Sequence, residues 1–235
     1  LEGFRIEIGA EAFLDRNSSI GGGSCFDTCA FLEAGDWLHM GVNSHLNIAR
    51  GISIGHEFGC GVDTKIFTHG AYINSYELGA PVQWAGVEIG DNVWMPNAWV
   101  NPGVKIGSNV LVAARSLVNG LIPPNCMAGG TPARVIKENY FPQALSLNEK
   151  KELVESILQQ IMQRESGEEY DFYSEFNPSF DLLQITSREE VTIFDLKNRT
   201  INGPVSPITI IIKDQLRRNG IRFRYIPASE NWKHW

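Results

Sequence analysis

The chain has 235 residues, 43% hydrophobic and 20% charged, enough for one large domain or two small ones. A net charge of −7 and a pI near 5.3 argue against nucleic acid or an anionic membrane as the main partner. No apolar run approaches the roughly 18 residues that span a bilayer, and no signal peptide is visible, so no transmembrane segment and a cytoplasmic location are expected.

The chain begins at Leu1 rather than Met, which leaves room for a missing N-terminal piece. From Ile8 onward apolar residues recur every six positions: Ile8, Leu14, Ile20, Phe26, Leu32 and Leu38. The beat slips at 43–47 and resumes at Ile48, Ile54, Cys60 and Ile66. Strands repeat every two residues and helices every 3.6, so a period of six fits neither. It fits short strands joined by tight turns, three per circuit, which is the hexapeptide signature of a β-helix. The aliphatic residue points inward, and the glycine that often follows it (Gly9, Gly21, Gly90, Gly107) is expected to supply the backbone freedom of a corner. Residues 8–123 then make roughly five to six coils stacked at about 4.8 Å. Ile8, Leu14, Leu32, Ile54, Ile66, Ile89, Ile106 and Val112 should be buried inside them. Cys60 takes an inward position; with Cys25, Cys29 and Cys126 it matches neither a zinc spacing nor a disulfide framework, and all four read as reduced thiols.

The beat breaks over 69–87, a loop carrying Tyr72, Tyr76 and Trp84. Loops on a rigid scaffold are where ligands are met, so these three aromatics are the candidates for substrate binding. The beat resumes at Ile89, Met95, Ile106, Val112 and Val118, with a five-residue step at 101–105, and stops at Pro123-Pro124.

Ser146 and Glu149 form a capping box ahead of a helix whose stripe is Leu153, Val154, Ile157, Leu158, Ile161 and Met162, with Gly167 just past its end. Beyond it, Val191–Leu196 and Arg199–Ile201 pair as a hairpin across Lys197-Asn198. A helix runs from Pro207 to about Arg218, framed by Ser206 and Gly220, and Ile221–Ile226 alternates as a last strand. The expected division is 1–138 for the β-helix with its protruding loop, 139–168 for a connecting helix, and 169–235 for a small α+β (ββαβ) domain. Lys213, Arg217, Arg218, Arg222 and Arg224 make a basic cluster in it that reads as a solvated face.

The stretch Ile89 to Lys137 contains, in order, IGDNVW, NPGVKIG, IPPN and AGGTPARVIK. In these motifs it resembles the hexapeptide-repeat acetyltransferases: the galactoside, maltose, xenobiotic and polysaccharide O-acetyltransferases. The resemblance implies a mainly β fold, a left-handed parallel β-helix, and an activity that moves acetyl from acetyl-CoA to a hydroxyl of a sugar or cell-surface polysaccharide precursor. N-acetylation of an amino sugar on a nucleotide carrier needs the same parts, and a non-catalytic scaffold is the reading from another class. The resemblance also implies a homotrimer with acetyl-CoA lying between subunits, at Trp94, Ala114, Ser116, Asn119, Gly129, Gly130 and Thr131. Arg134 and Lys137 would meet the 3′-phosphate of CoA electrostatically.

Acetyl transfer to a hydroxyl needs a base, and a neutral imidazole serves. Of His39, His45, His56, His69 and His234, His69 stands where the coil opens into the loop, the place the resemblance implies for the catalytic histidine. Asp63 or Glu57 is the candidate partner of its other nitrogen. His45 and His56, near corners about one circuit apart, raise with His69 the alternative of a metal site. Their spacing does not match that of the related γ-carbonic anhydrases, and no metal is expected.

Overall fold

The computed structural model describes residues 1–70, 73–165 and 170–224. The chain divides into two compact units, Leu1–Pro142 and Gln143–Trp235.

The first unit is mainly β, and nearly all of its pairing is parallel. Strands Arg5–Ile8, Phe31–Ala34, Ile52–Ile54, Val87–Ile89 and Lys105–Ile106 make the first sheet. The second sheet runs through Phe13–Leu14, His39–Met40, Gly59–Cys60, Val93–Met95, Val110–Val112 and Cys126–Gly130. The third holds Ser19–Gly21, His45–Asn47, Lys65–Ile66, Ala98–Val100 and Ser116–Val118. Successive strands visit the three sheets in turn, which is a three-walled coil of five full circuits. A sixth circuit begins with the single parallel bridge from Ile106 to Ile122. Its second-sheet strand is closed by an antiparallel partner, Ala133–Glu138.

The six-residue beat sets the core. Leu32, Ile54, Cys60, Ile66, Ile89, Met95, Ile106, Val112 and Val118 are all buried in one cluster, with Ile8 packed against it half-buried. Two positions depart. Leu14 is 37% exposed because it lies in the first circuit, where no coil stands beneath it. Phe26 is 69% exposed because 22–30 bulges out of the coil, and Cys25 turns inward in its place.

Of the glycines that follow inward residues, Gly21 has the positive φ expected of a corner, +145°, and the others do something else. Gly9, Gly35, Gly41, Gly55, Gly61, Gly90 and Gly107 have ordinary backbone angles; the positive φ falls two residues later, at Glu11, Trp37, Asn43, Glu57, Asp63, Asn92 and Asn109. These glycines are required by the closeness of the next coil. A Cβ on Gly41 would come within 2.7 Å of the Gly61 carbonyl carbon, and one on Gly107 within 2.6 Å of the Pro124 nitrogen. Asparagine tolerates the left-handed corner, and its amide then bonds the corner above: Asn92 Nδ2 donates to Asn109 Oδ1 at 3.0 Å, and Asn109 Nδ2 to Asn125 Oδ1 at 2.9 Å.

In the second unit the helix Leu147–Arg164 starts at the Ser146–Glu149 capping box. Its buried stripe is narrower than expected: Val154, Ile157, Leu158 and Ile161, with Leu153 and Met162 exposed at its margins. Gly167 lies outside the described residues. Among the described residues the sheet is antiparallel and four-stranded, Tyr173–Phe176, Leu182–Ser187, Glu190–Asp195 and Thr200–Asn202 in that order. The expected ββαβ order is thus corrected: two strands precede the hairpin, and 221–224 has no regular structure, with 225–226 outside the described residues. The hairpin turn is held by Asp195, whose carboxylate accepts the amides of Lys197 and Asn198. In the helix Pro207–Arg218, Asp214 accepts from both Arg217 and Arg218. Leu183, Ile185, Phe194 and Ile201 from the sheet pack with Ile208, Ile212 and Leu216 and with the first helix's stripe.

Candidate active site

His69 stands on the edge where the third sheet passes to the first, just after Lys65–Ile66. Here the chain leaves the coil, and His69–Gly70 pairs antiparallel with Gln83–Trp84 on its return. Between them lies a short helix, Ser75–Leu78, capped by Asn74 and ended by Gly79 in the left-handed region. The return is pinned from both sides. Ala85 N–H donates to Thr68 O at 3.0 Å, and Gln83 Nε2 donates to Pro102 O at 3.0 Å on the following coil's corner.

The imidazole of His69 is fixed by two contacts. Its ring stacks on Trp84, with centroids 4.9 Å apart and planes 18° from parallel. Its Nδ1 meets Asn47 Oδ1 at 2.8 Å. A carboxamide oxygen can only accept, so Nδ1 carries the proton and Nε2 carries the lone pair. Asn47 ends the third-sheet strand of the preceding coil and is 4% exposed. It is held in turn by Thr68, whose hydroxyl donates to the Asn47 carbonyl at 2.8 Å and accepts the Arg50 amide at 2.9 Å.

This corrects the expected partner. Glu57 and Asp63 sit at positive φ on the other two edges of the coil, between the first and second sheets and between the second and third. Neither edge is the one that carries His69. Asn47 was legible in principle, because Leu46 pairs with Ile66 and a one-coil offset brings the residues after them together. His234 lies outside the described residues, and His45 and His56 make their contacts elsewhere. His45 Nδ1 lies 2.9 Å from Ser19 Oγ on the third wall, and His56 Nδ1 accepts the Asp36 amide at 3.0 Å on the first-to-second edge. Burial, then the charge of Lys65, pushes the His45 pKa below its ordinary value, with Ser19 acting the other way. Among the described residues no group of three or more His, Cys, Asp or Glu could hold a metal ion.

Of the loop aromatics among the described residues, the structure brings Trp84 to His69. Tyr76 is 97% exposed on the short helix, and Tyr72 lies outside the described residues.

The donor candidates fall into two groups. Trp94, Leu111, Met127 and Lys137 form one row across the outer face of the second sheet. Arg134 lies opposite Gly129, and the register shifts between Met127 and Ala128. That irregularity places Arg134 and Lys137 on one face, although three residues apart on a regular strand they would point to opposite faces. Lys137 Nζ lies 4.5 Å from the centre of the Tyr140 ring. Gly129 packs so closely that a Cβ would meet Ala113 Cβ at 2.8 Å. Ala114 is exposed at the second-to-third corner; Ser116, buried, donates to Ala113 O at 2.6 Å and accepts the Gly130 amide at 3.2 Å. Thr131 Oγ1 donates to Arg115 O at 3.4 Å. Asn119 belongs to the other group: it follows the third-sheet strand, on the same edge as His69, and accepts from Asn101 Nδ2 at 2.6 Å. Within one chain His69 and Trp94 therefore lie on different walls. A groove of about 1010 Å³ runs along the first sheet past Glu33, Ser53, Glu88 and Lys105, and its lining includes none of the candidate residues.

No family model matches the chain. It is 49% identical over 53 residues to the galactoside O-acetyltransferase of Escherichia coli K12, which covers 22% of this chain and 26% of that protein. It is 33% identical over 112 residues to the provisionally named lipopolysaccharide biosynthesis O-acetyl transferase WbbJ of the same organism, covering 41% of this chain and 56% of that one. The chain thus spans a quarter and just over half of the length of these curated relatives. Among solved structures it is similar to a hexapeptide-repeat-containing acetyltransferase of Vibrio cholerae complexed with acetyl coenzyme A. That likeness has 25% identity and a TM-score of 0.44, and covers 55% of this chain and 69% of the other.

Proposed function

We propose that this chain, which resembles hexapeptide-repeat acetyltransferases in sequence, is an acetyl-CoA-dependent O-acetyltransferase. Its acceptor is a hydroxyl of a sugar or cell-surface polysaccharide precursor, and its base is His69. The observation that carries this reading is the 2.8 Å contact from His69 Nδ1 to Asn47 Oδ1, which leaves Nε2 as the proton acceptor.

Acetyl-CoA supplies an activated acetyl group. The chain's part is to take the acceptor's hydroxyl proton on Nε2 of His69 as that oxygen attacks. Asn47 keeps the opposite nitrogen protonated and stabilises the imidazolium that results. The same ring then returns the proton to the departing sulfur, so acetyl ester and free CoA form without an acetylated side chain. Trp84, stacked on the base and 38% exposed, offers an indole surface beside it for a sugar ring.

Arg134 and Lys137 fit the anionic end of the donor, two cations on one face. Because that face is the second wall and His69 stands on the third-to-first edge, a second copy of the chain completes the site, in a homotrimer of left-handed coils. The test is an acceptor screen of sugars, nucleotide-sugars and oligosaccharides, following release of free CoA. Acetylation of a sugar hydroxyl is expected; acetyl-CoA binding without transfer to any acceptor would return the chain to the scaffold class. Arg134→Ala with Lys137→Ala should weaken CoA more than dephospho-CoA, and equal weakening would place those side chains elsewhere.

A further inference from the structure

The corner 48–51 is flanked by two excursions from the coil, 22–30 in the circuit before it and 67–86 in the circuit after. Arg50, on that corner, touches both. Its Nη1 lies 3.6 Å from Asp27 Oδ2 in the first excursion, and its Cζ lies 4.7 Å from the centre of the Trp84 ring in the second. Nη1 also donates to Ala49 O at 2.7 Å, and the Arg50 amide donates to Thr68 Oγ1 at 2.9 Å, so side chain and backbone are both anchored. The indole that receives this guanidinium is the one stacked on His69. A cation is drawn to the face of an indole, and a flat guanidinium stacks there as an ammonium does not.

We propose that Arg50 is a positioning residue for His69, acting through Trp84, with Asp27 orienting the guanidinium. This rests on the reading of His69 as the base. Without Arg50, Trp84 keeps its strand pairing to His69 but loses the cation that holds its ring. The imidazole then loses the surface that sets its plane, while Asn47 still selects its tautomer. Displacement of a catalytic group by about 1 Å costs up to about 10²-fold in rate.

The test compares Arg50→Met and Arg50→Lys in the full chain. In Arg50→Met, kcat should fall about tenfold while KM for acetyl-CoA stays within about twofold, because orientation of the base and not donor binding is lost. Arg50→Lys, which keeps the charge without the flat stack, should fall between this variant and the parent. The second readout needs no substrate: the His69 ring-proton resonances, shifted by the indole above them, should move in Arg50→Met toward those of an unstacked histidine. Unmoved ring protons, with or without a drop in thermal midpoint, overturn the proposal. So does a raised KM with kcat retained, which would make Arg50 a ligand contact. If the parent transfers acetyl to no acceptor, the reading of the activity fails, and the ring-proton comparison still decides the role of Arg50.

Discussion

The two compact units bury their apolar residues by different rules. In the coil each strand is two to four residues long in nearly every circuit, and residues such as Ile54, Cys60 and Ile66 are inward because of their phase. No coil buries that face alone, so the constraint repeats and is written locally, every six residues. In the second unit, Leu183 and Ile185 from one strand, Phe194 from another and Ile208, Ile212 and Leu216 from a helix meet only when distant faces come together. A repeat therefore announces its fold, and its interruptions mark where the chain leaves it. His69, Trp84, Asp27 and Arg50 all belong to interruptions or to the short corner between them.

This contrast can be broken by substitution. The largest stability effect is expected in the second unit, where Phe194 is fully buried: Phe194→Ala should cost about 3–5 kcal/mol by denaturant unfolding, and a loss under about 1 kcal/mol would mean that its faces are not packed together. Next comes a pair of glycines. Gly41→Ala drives a methyl into the next coil's backbone and should cost at least about 1–3 kcal/mol. Gly220→Ala meets nothing within 4 Å and has only its φ of +83° against it, so a cost of about 1 kcal/mol is expected. Equal costs would return the coil glycines to a role in corner freedom.

The smallest effect is a pH slope. Because the folded pKa of His45 lies below its ordinary value of about 6.5, the unfolded chain binds more protons in the interval between the two. The stability that His45 contributes as a neutral ring is therefore complete above about pH 6.5 and lost as the pH falls below it. His45→Gln should flatten the unfolding midpoint against pH in that range. An unchanged slope would mean that the ring is as well solvated folded as unfolded.

Much of the coil was legible, and the reasons for the rest are physical. The period fixed the inward residues wherever a coil lies above and below. It misplaced Leu14, which has no coil beneath it, and Phe26, which sits in an excursion that keeps the beat's spacing by coincidence. Apart from Gly21, the glycines were found for the wrong reason, since closeness between coils is invisible within one circuit. The position of His69, at the exit from the coil, was legible from where the beat breaks, whereas the neighbour of its Nδ1 could be read only through the register between circuits. Asn47 is 22 residues earlier in the chain, and only the offset between circuits brings it beneath the imidazole. In the second unit the capping residues and the hairpin turn were read from local chemistry, whereas Tyr173–Phe176 and Leu182–Ser187 carry no comparable local signal.

The account rests on His69 as the base, and its most direct test is the turnover of His69→Ala with acetyl-CoA and the acceptor found by screening. Turnover should fall by roughly 10²–10⁴-fold while the affinity for acetyl-CoA stays nearly intact, because the ring acts on the acceptor's proton and not on the donor's binding. A His69→Ala variant that turns over as fast as the parent would contradict it.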